Sequence, residues 1–324
     1  MSPEEKVLFG VFGAIVAGYL VLDLGFFHKK AGVVKTQSAF IETFIWVIVS
    51  IAFGFLIRFY VGTPQSYEFF TAYITEYALS VDNIFVILLI LRYFRVNEAY
   101  YHHVLFFGIL GAIVFRAIFI FLGAFVIHKF HFILYIFGAF LLFTGFKMLF
   151  VKDVDDETQE FNPEDSFVLR IAKKYLRFTS EDRGDHFWVR DDSGKLVFTT
   201  LFMCLILIET TDLIFAVDSI PAVFGVSDNE FVVYTSNMFA VMGLRSMFFV
   251  LSSIIDKFYL LKKGLAIVLA FIGSKMLMDI FQIKVDEKLS LIVIVSTLAF
   301  SVILSILIPQ TSNEKKTEQS SLDS

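Results

Sequence analysis

Residues Thr75–Ile84 read TEYALSVDNI, and Thr211–Ile220 read TDLIFAVDSI. Each stretch lies inside an apolar run long enough to cross a bilayer, yet each carries two carboxylates, Glu76 and Asp82 in the first and Asp212 and Asp218 in the second. A charge at the centre of a membrane helix costs at least about 2.5–3.5 kcal/mol, so intramembrane acids face an interior or a wet cavity and mark a function. The fold and the function both follow from asking why this is done twice.

The surroundings identify a membrane protein. Of 324 residues, 57% are hydrophobic and 18% charged, and the mean hydropathy is +0.75, outside the range of soluble domains. The segment 151–197 holds 8 Lys or Arg and 12 Asp or Glu, which leaves the remainder free to be span. The net charge of −5 comes mostly from that loop and the polar ends, and no basic stripe marks a nucleic-acid partner. The single cysteine, Cys204, cannot form an internal disulfide and reads as a small buried side chain. The start, MSPEEKVLFG, lacks a basic n-region and reads as the approach to a retained first span.

A span needs about 20 apolar residues. Nine windows qualify, near 7–27, 40–59, 70–91, 104–126, 132–150, 199–219, 231–253, 264–281 and 289–308. The expected fold is therefore all-α and polytopic. Its organisation is two N-terminal spans (1–69), a three-helix unit (70–150), a cytosolic loop (151–198), a second three-helix unit (199–281), a last span (282–310) and a disordered tail (311–324). Lys and Arg number 18 in the connections of one side and 5 in those of the other. The positive-inside rule then puts the N-terminus outside and the C-terminus in the cytosol. Within the loop, HFWVRDDSGKLVF reads as a short hairpin turning at Asp192-Ser193-Gly194.

The two acidic stretches open a longer internal repeat. With Asp82 on Asp218, Thr75 falls on Thr211 and Glu76 on Asp212; downstream, Arg116 in FRAIFIFL parallels Arg245 in LRSMFFVL, and FTGFKMLF parallels FIGSKMLM. Because each unit has three spans, the second enters the membrane in the opposite sense. Such inverted repeats are the architecture of secondary transporters, which bind cargo near the midplane where the repeats meet.

Five acids lie at depth, Glu76, Asp82, Glu209, Asp212 and Asp218, against two central bases, Arg116 and Arg245. Pairing with the arginines accounts for two acids at most. Asp82 follows Glu76 by six residues, about 9 Å along a helix and about 120° around it, so one straight helix does not bring both to one ion. Asn83 after Asp82, and Ser219 and Pro221 after Asp218, predict helix discontinuities at Ser80–Asn83 and Asp218–Pro221 that would turn freed carbonyls inward. Carboxylate, amide and hydroxyl oxygens, including those of Ser80, Thr211 and Ser219, are hard donors suited to Mn2+, Mg2+ or Ca2+. The six histidines lie at span ends or in loops and read as interfacial.

The motifs EYALSVDN, ETTDLIFAVDSIPA, ILYIFGAFLLFTGFKM and TSNMFAVMGLR, together with HFWVR and VLDL, resemble those of the TerC family of integral membrane proteins, from about Leu20 to about Met278. The resemblance implies a fold related to the LysE-type exporters. It implies export of Mn2+ as the transported ion, with Glu76, Asp82, Asn83, Glu209, Asp212 and Asp218 around it. It also implies a bacterial inner membrane setting. Arg116 and Arg245 are expected to hold the acids while the site is empty, and protons are expected to compete with metal for the same carboxylates. The family is named for tellurium resistance, but carboxylates disfavour direct binding of the tellurite anion. A membrane scaffold or tellurium-stress protein without transport is the alternative, and a Ca2+ transporter a further one. Peptide cleavage is disfavoured, since neither Gly-x-Gly-Asp nor His-Glu-x-x-His occurs. No organic cofactor is expected, and the oligomeric state is not legible.

Overall fold

A computed structural model describes residues 2–22, 36–130, 132–150, 167–179, 184–191, 194–252, 260–281, 283 and 285–308. The chain forms helices α1 (Pro3–Leu22), α2 (Thr36–Tyr60), α3 (Thr63–Tyr93), α4 (Tyr101–Lys129), α5 (Phe132–Phe150), the short α6 (Phe167–Tyr175), α7 (Thr200–Val226), α8 (Glu230–Leu251), α9 (Leu261–Met278) and α10 (Glu287–Leu307). The fold is that of an all-α integral membrane protein. Among the described residues, six helices are long and apolar enough to cross a bilayer, and they lie in α2, α3, α4, α5, α7 and α10. Of the expected windows, those at α1, α8 and α9 fall outside this set. α1 opens with Glu4, Glu5 and Lys6, α8 carries Thr235, Ser236, Asn237 and Arg245, and α9 has lysines near both ends.

Burial explains why α8 tolerates so many polar residues. It lies against α2, α3 and α4 and is buried along almost its whole length, Thr235, Ser236 and Asn237 included. Its neighbours, not its own side chains, meet the apolar surroundings. α2, α4, α5 and α10 turn rows of large apolar residues outward, among them Phe44, Phe55, Phe125, Phe143 and Phe300, as helices facing lipid do. Inside, Phe53, Phe69, Phe231 and Phe239 are fully buried and pack ring to ring, joining α2, α3 and α8 in the half of the bundle where α2 ends and α3 begins.

α5 and α9 lie along one another more extensively than any other pair. Small residues permit it. A Cβ on Gly273 would come within 2.6 Å of the Gly138 carbonyl oxygen and of the Leu142 nitrogen, and one on Gly145 within 2.7 Å of the Ala266 carbonyl oxygen. Without a hydrophobic force between helices in lipid, this backbone approach supplies the van der Waals contact that holds the pair.

The hairpin is present in the loop before α7. β1 (Trp188–Arg190) pairs antiparallel with β2 (Leu196–Phe198) in the register Trp188 to Phe198; Asp192 and Ser193 of the expected turn lie outside the described residues, as does the tail from 309 onward. Phe187 stacks on His103 of α4 at 4.7 Å, and the Thr199 hydroxyl donates to the His186 carbonyl. His103 thus serves as an interfacial packing group that docks the hairpin on the bundle. Cys204 is buried and unpaired.

The connection from α7 to α8 is fixed by Asn229. Its Oδ1 accepts from the backbone N–H groups of Phe231 and Val232 and caps α8, while its Nδ2 donates to the buried Glu5 carboxylate at 2.6 Å and so ties α1 to the same corner. Asn229→Ala removes the cap and leaves Glu5 short of a donor. A loss of about 2–3 kcal/mol is expected, to be read as a lower unfolding midpoint in detergent; an unchanged midpoint would show that water replaces both bonds.

Candidate functional site

Two of the deep acids, Glu76 and Asp212, meet at one arginine. Arg116 of α4 is 2% exposed, and its guanidinium lies between α3 and α7. Nη1 donates to Glu76 Oε1, a very short contact, and Nη2 donates to Asp212 Oδ1 at 2.9 Å. Nε reaches Asp212 Oδ2 at 3.3 Å, so the grip on Asp212 is two-pronged, the geometry for which the planar fork of arginine is suited. Asn83 Nδ2 donates to Asp212 Oδ1 at 2.8 Å, and Asn237 Oδ1 of α8 accepts from Arg116 at 3.4 Å. Four helices therefore contribute to one buried polar knot. Glu76 is 1% and Asp212 5% exposed, a depth at which an unpaired charge would be costly.

Beside the knot lies a cavity of about 110 Å³, lined by Glu76, Ser80 and Asn83 of α3, Arg116, Thr144 and Met148 of α5, Phe215 and Ser219 of α7, and apolar residues of α9. Glu76 Oε2, Asn83 Oδ1 and Ser219 Oγ are buried and have no hydrogen-bond partner among the described residues. All three residues line this same cavity. Buried polar atoms are nearly always satisfied, so three unpartnered oxygens at one space form a ready set of hard donors. Asn83 and Asp212 also line a smaller cavity of about 20 Å³ on the other side, with Ile87, Gly108 and Leu244.

Several expectations need correction. α3 and α7 run as unbroken helices through Ser80–Asn83 and Asp218–Pro221. The Ser80 hydroxyl donates to the Glu76 carbonyl four residues back at 2.8 Å, a bond that fits within a helix. Pro221 stays inside α7; the turn that follows it is clamped by packing, with Val223 and Phe224 buried and Gly225 against Ile272 and Met276 of α9. A membrane helix accommodates the lost N–H where neighbours support it.

Among the described residues, Arg245 is paired away from the knot that Arg116 forms with Glu76 and Asp212. It donates to Glu42 of α2 at 2.5 Å and lies over the Tyr19 ring at 5.6 Å, because its position on α8 faces the N-terminal helices. Glu209 stands apart as well: its carboxylate lies against Gly111 of α4, where any side chain would collide with it, and it does not line the larger cavity. The Thr211 hydroxyl turns back to the Ile208 carbonyl of its own helix. The backbones of Asp82 and Asp218 are helical, but their side chains lie outside the described residues. Among the described residues no three His, Cys, Asp or Glu side chains come together as a metal cluster.

Three contributors escaped the sequence reading: Asn237, Met148 and Glu42. Asn237 sits in the polar triplet Thr235-Ser236-Asn237 inside an apolar run, a signal of the same kind as the acids. Glu42 is an acid at the entry of the second span, and Met148 carries no polar signal at all.

The sequence pattern of the integral membrane protein TerC family matches residues 61–315. An uncharacterized membrane protein of Myxococcus xanthus, STKORF319, is 42% identical over 300 residues, covering 93% of this chain and 92% of its own. Another uncharacterized membrane protein, RP786 of Rickettsia prowazekii, is 39% identical over 92% of this chain and 98% of its own. An Escherichia coli K12 protein, Alx, whose name proposes a membrane-bound redox modulator, is 41% identical over 88% of this chain and 90% of its own. No solved structure matches.

Proposed function

Because this chain belongs to the integral membrane protein TerC family, we propose that it exports a hard divalent cation, Mn2+ foremost, from the cytosol across a bacterial inner membrane. The observation that carries this reading is the set of unpartnered oxygens of Glu76, Asn83 and Ser219 at one cavity. Charge supports it. With all three ionised, Glu76 and Asp212 set two negative charges against the single positive charge of Arg116, so the knot keeps a net attraction for a cation. Asp82, Asp218 and Glu209 are the further acids that the ion would meet as α3 and α7 shift, and protons would compete with it for the same oxygens.

In this reading the chain spans the membrane nine times, with α3–α5 and α7–α9 as inverted repeats, the N-terminus outside and the C-terminus in the cytosol. The α5–α9 pair supports the repeat. In the alignment of FTGFKMLF with FIGSKMLM, Gly138 corresponds to Ala266 and Gly145 to Gly273. The contact of Gly138 with Gly273 is then the two-fold mate of that between Gly145 and Ala266. Direction has support too. Thr144 and Met148 lie in the last two turns of α5, and Leu265 near the start of α9, the ends that adjoin the basic connections. The cavity is thus nearest the side assigned to the cytosol, where an exporter loads.

The redox role in the name of the Escherichia coli relative would need a second thiol if it ran through a disulfide within one chain; this chain has one cysteine. A scaffold role predicts that the deep acids matter only for folding.

Ion flux in proteoliposomes separates the readings. Mn2+, Ca2+, Mg2+, Zn2+ and tellurite are compared at two pH values, with Asp82→Asn and Asp218→Asn alongside the unchanged chain. The expected result is Mn2+ flux that falls to background in both variants while each keeps its elution profile in detergent. Full flux in both variants rejects these roles for Asp82 and Asp218, and no cation flux in the unchanged chain rejects the export reading.

A further inference from the structure

The cavity holds one group that the hard-donor account leaves unused. Met148, in the stretch FTGFKMLF, lines the same space as Glu76, Asn83 and Ser219. Building on the proposed export of a divalent cation, we infer that Met148 is the selectivity residue of this site. Its thioether would be the poorest ligand for Ca2+ and Mg2+, more acceptable to Mn2+ as the least hard of the three, and better still for a soft ion such as Cd2+.

Two observations carry this. The first is the setting: Glu76, Asn83 and Ser219 are each at most 2% exposed, each has an unpartnered oxygen, and the cavity they share has room for only a few waters at roughly 30 Å³ each. An ion entering it exchanges part of its hydration shell for the lining. An all-oxygen lining would serve Ca2+ and Mg2+ as readily as Mn2+, whereas a thioether is a poor ligand for those two and an acceptable one for softer ions.

The second is a comparison within the chain. The repeated pair Lys147-Met148 recurs as Lys275-Met276. Met276 is used for packing: a Cβ on Gly225 would meet its sulfur at 2.6 Å, and a Cβ on Gly138 would meet the Met276 Cβ at 2.8 Å. Met148 is only partly buried: it packs against the apolar core on one side and also lines the cavity shared by Glu76, Asn83 and Ser219. Methionine commonly fills irregular gaps, which describes Met276. A gap-filler beside unpartnered oxygens is different, because leucine would fill the space equally well and coordinate nothing.

The test is competition flux in proteoliposomes carrying the full chain, with Mn2+ and Cd2+ as carried ions and Ca2+ as competitor. Met148→Leu keeps the volume, so it is expected to retain transport but to lower the Mn2+-over-Ca2+ and Cd2+-over-Ca2+ ratios by about tenfold, with the Cd2+ ratio falling further. Met276→Leu should leave both ratios as they are. Unchanged ratios in Met148→Leu overturn the inference while the export reading survives; failure of the unchanged chain to carry any divalent ion overturns both. X-ray absorption on the unchanged chain loaded with Cd2+ gives a readout that needs no variant to fold. A sulfur neighbour at the metal supports the inference, and an oxygen-only shell refutes it.

Discussion

Arg116→Met is expected to lower stability by about 3–5 kcal/mol, the cost of leaving buried carboxylates without their cation. Arg116 is the shared partner of Glu76 and Asp212, makes two bonds to the latter, and is almost wholly buried with them. Removing it places two like charges in a low-dielectric interior, and the bundle answers by opening to water or by losing α4 from its place against α7 and α8. Neutralising the acids in the same chain, with Glu76→Gln and Asp212→Asn, should restore most of the loss, since an amide can meet its neighbours without a counter-charge. Unfolding midpoints in detergent for the single, double and triple variants measure this directly. A single variant within about 1 kcal/mol of the unchanged chain would mean that water already screens the knot, and that the cavity is open in the resting protein.

Gly273→Val tests the other element against which the cavity is built. The Cβ would meet the Gly138 oxygen and the Leu142 nitrogen, each at 2.6 Å, and both are backbone atoms that no rotamer change can move aside. α5 and α9 must separate. Overpacking in a tight core costs about 1–3 kcal/mol and more where backbone must shift, and the upper end is expected here. The lining from α5 (Thr144, Met148) and from α9 (Leu265, Leu269) would move apart with the helices, so flux should fall even in protein that still folds. Gly13→Ala provides the contrast: nothing lies within 4 Å of its added Cβ, and it should be neutral or stabilising by up to about 1 kcal/mol. Equal behaviour of the two variants would sink the close-packing account of the α5–α9 pair.

The two predictions differ in how far the sequence foresees them. The charge of Arg116 and the depth of Glu76 and Asp212 follow from hydropathy, because burying a charge costs the same wherever its partner lies. That Arg116 holds both acids while its repeat counterpart Arg245 holds Glu42 does not follow. The two arginines hold parallel places in the order of motifs, and the helices packed around them separate their roles: α4 lies against α7, while α8 lies against α2. Glu209 and Asp212 share a helical face by spacing, yet Glu209 ends against Gly111 of α4 and not in the cavity, since a face spanning three residues is wide enough to meet two neighbouring helices.

The continuity of α3 and α7 marks the same boundary. Asn83, Ser219 and Pro221 are residues that weaken a helix locally, and by local preference a break was expected. The structure keeps both helices whole because Ser80 bonds within its own turn and because α9 clamps the turn after Pro221. Lipid offers no water to satisfy a freed carbonyl, so tertiary support outweighs propensity.

By itself the sequence determined that this is an all-α membrane protein with acids at depth, a short hairpin in its long loop and a duplicated acid–Arg–Gly-x-Lys order. Those features depend on transfer free energy and spacing along one chain, which each segment carries alone. Only the tertiary structure decided that α8 is enclosed, that one arginine gathers two acids, and that Asn83, Ser219 and Met148 share a cavity. Those outcomes depend on how each helix turns and how closely its neighbours approach, and a difference of one small residue such as Gly138 or Gly273 sets that approach.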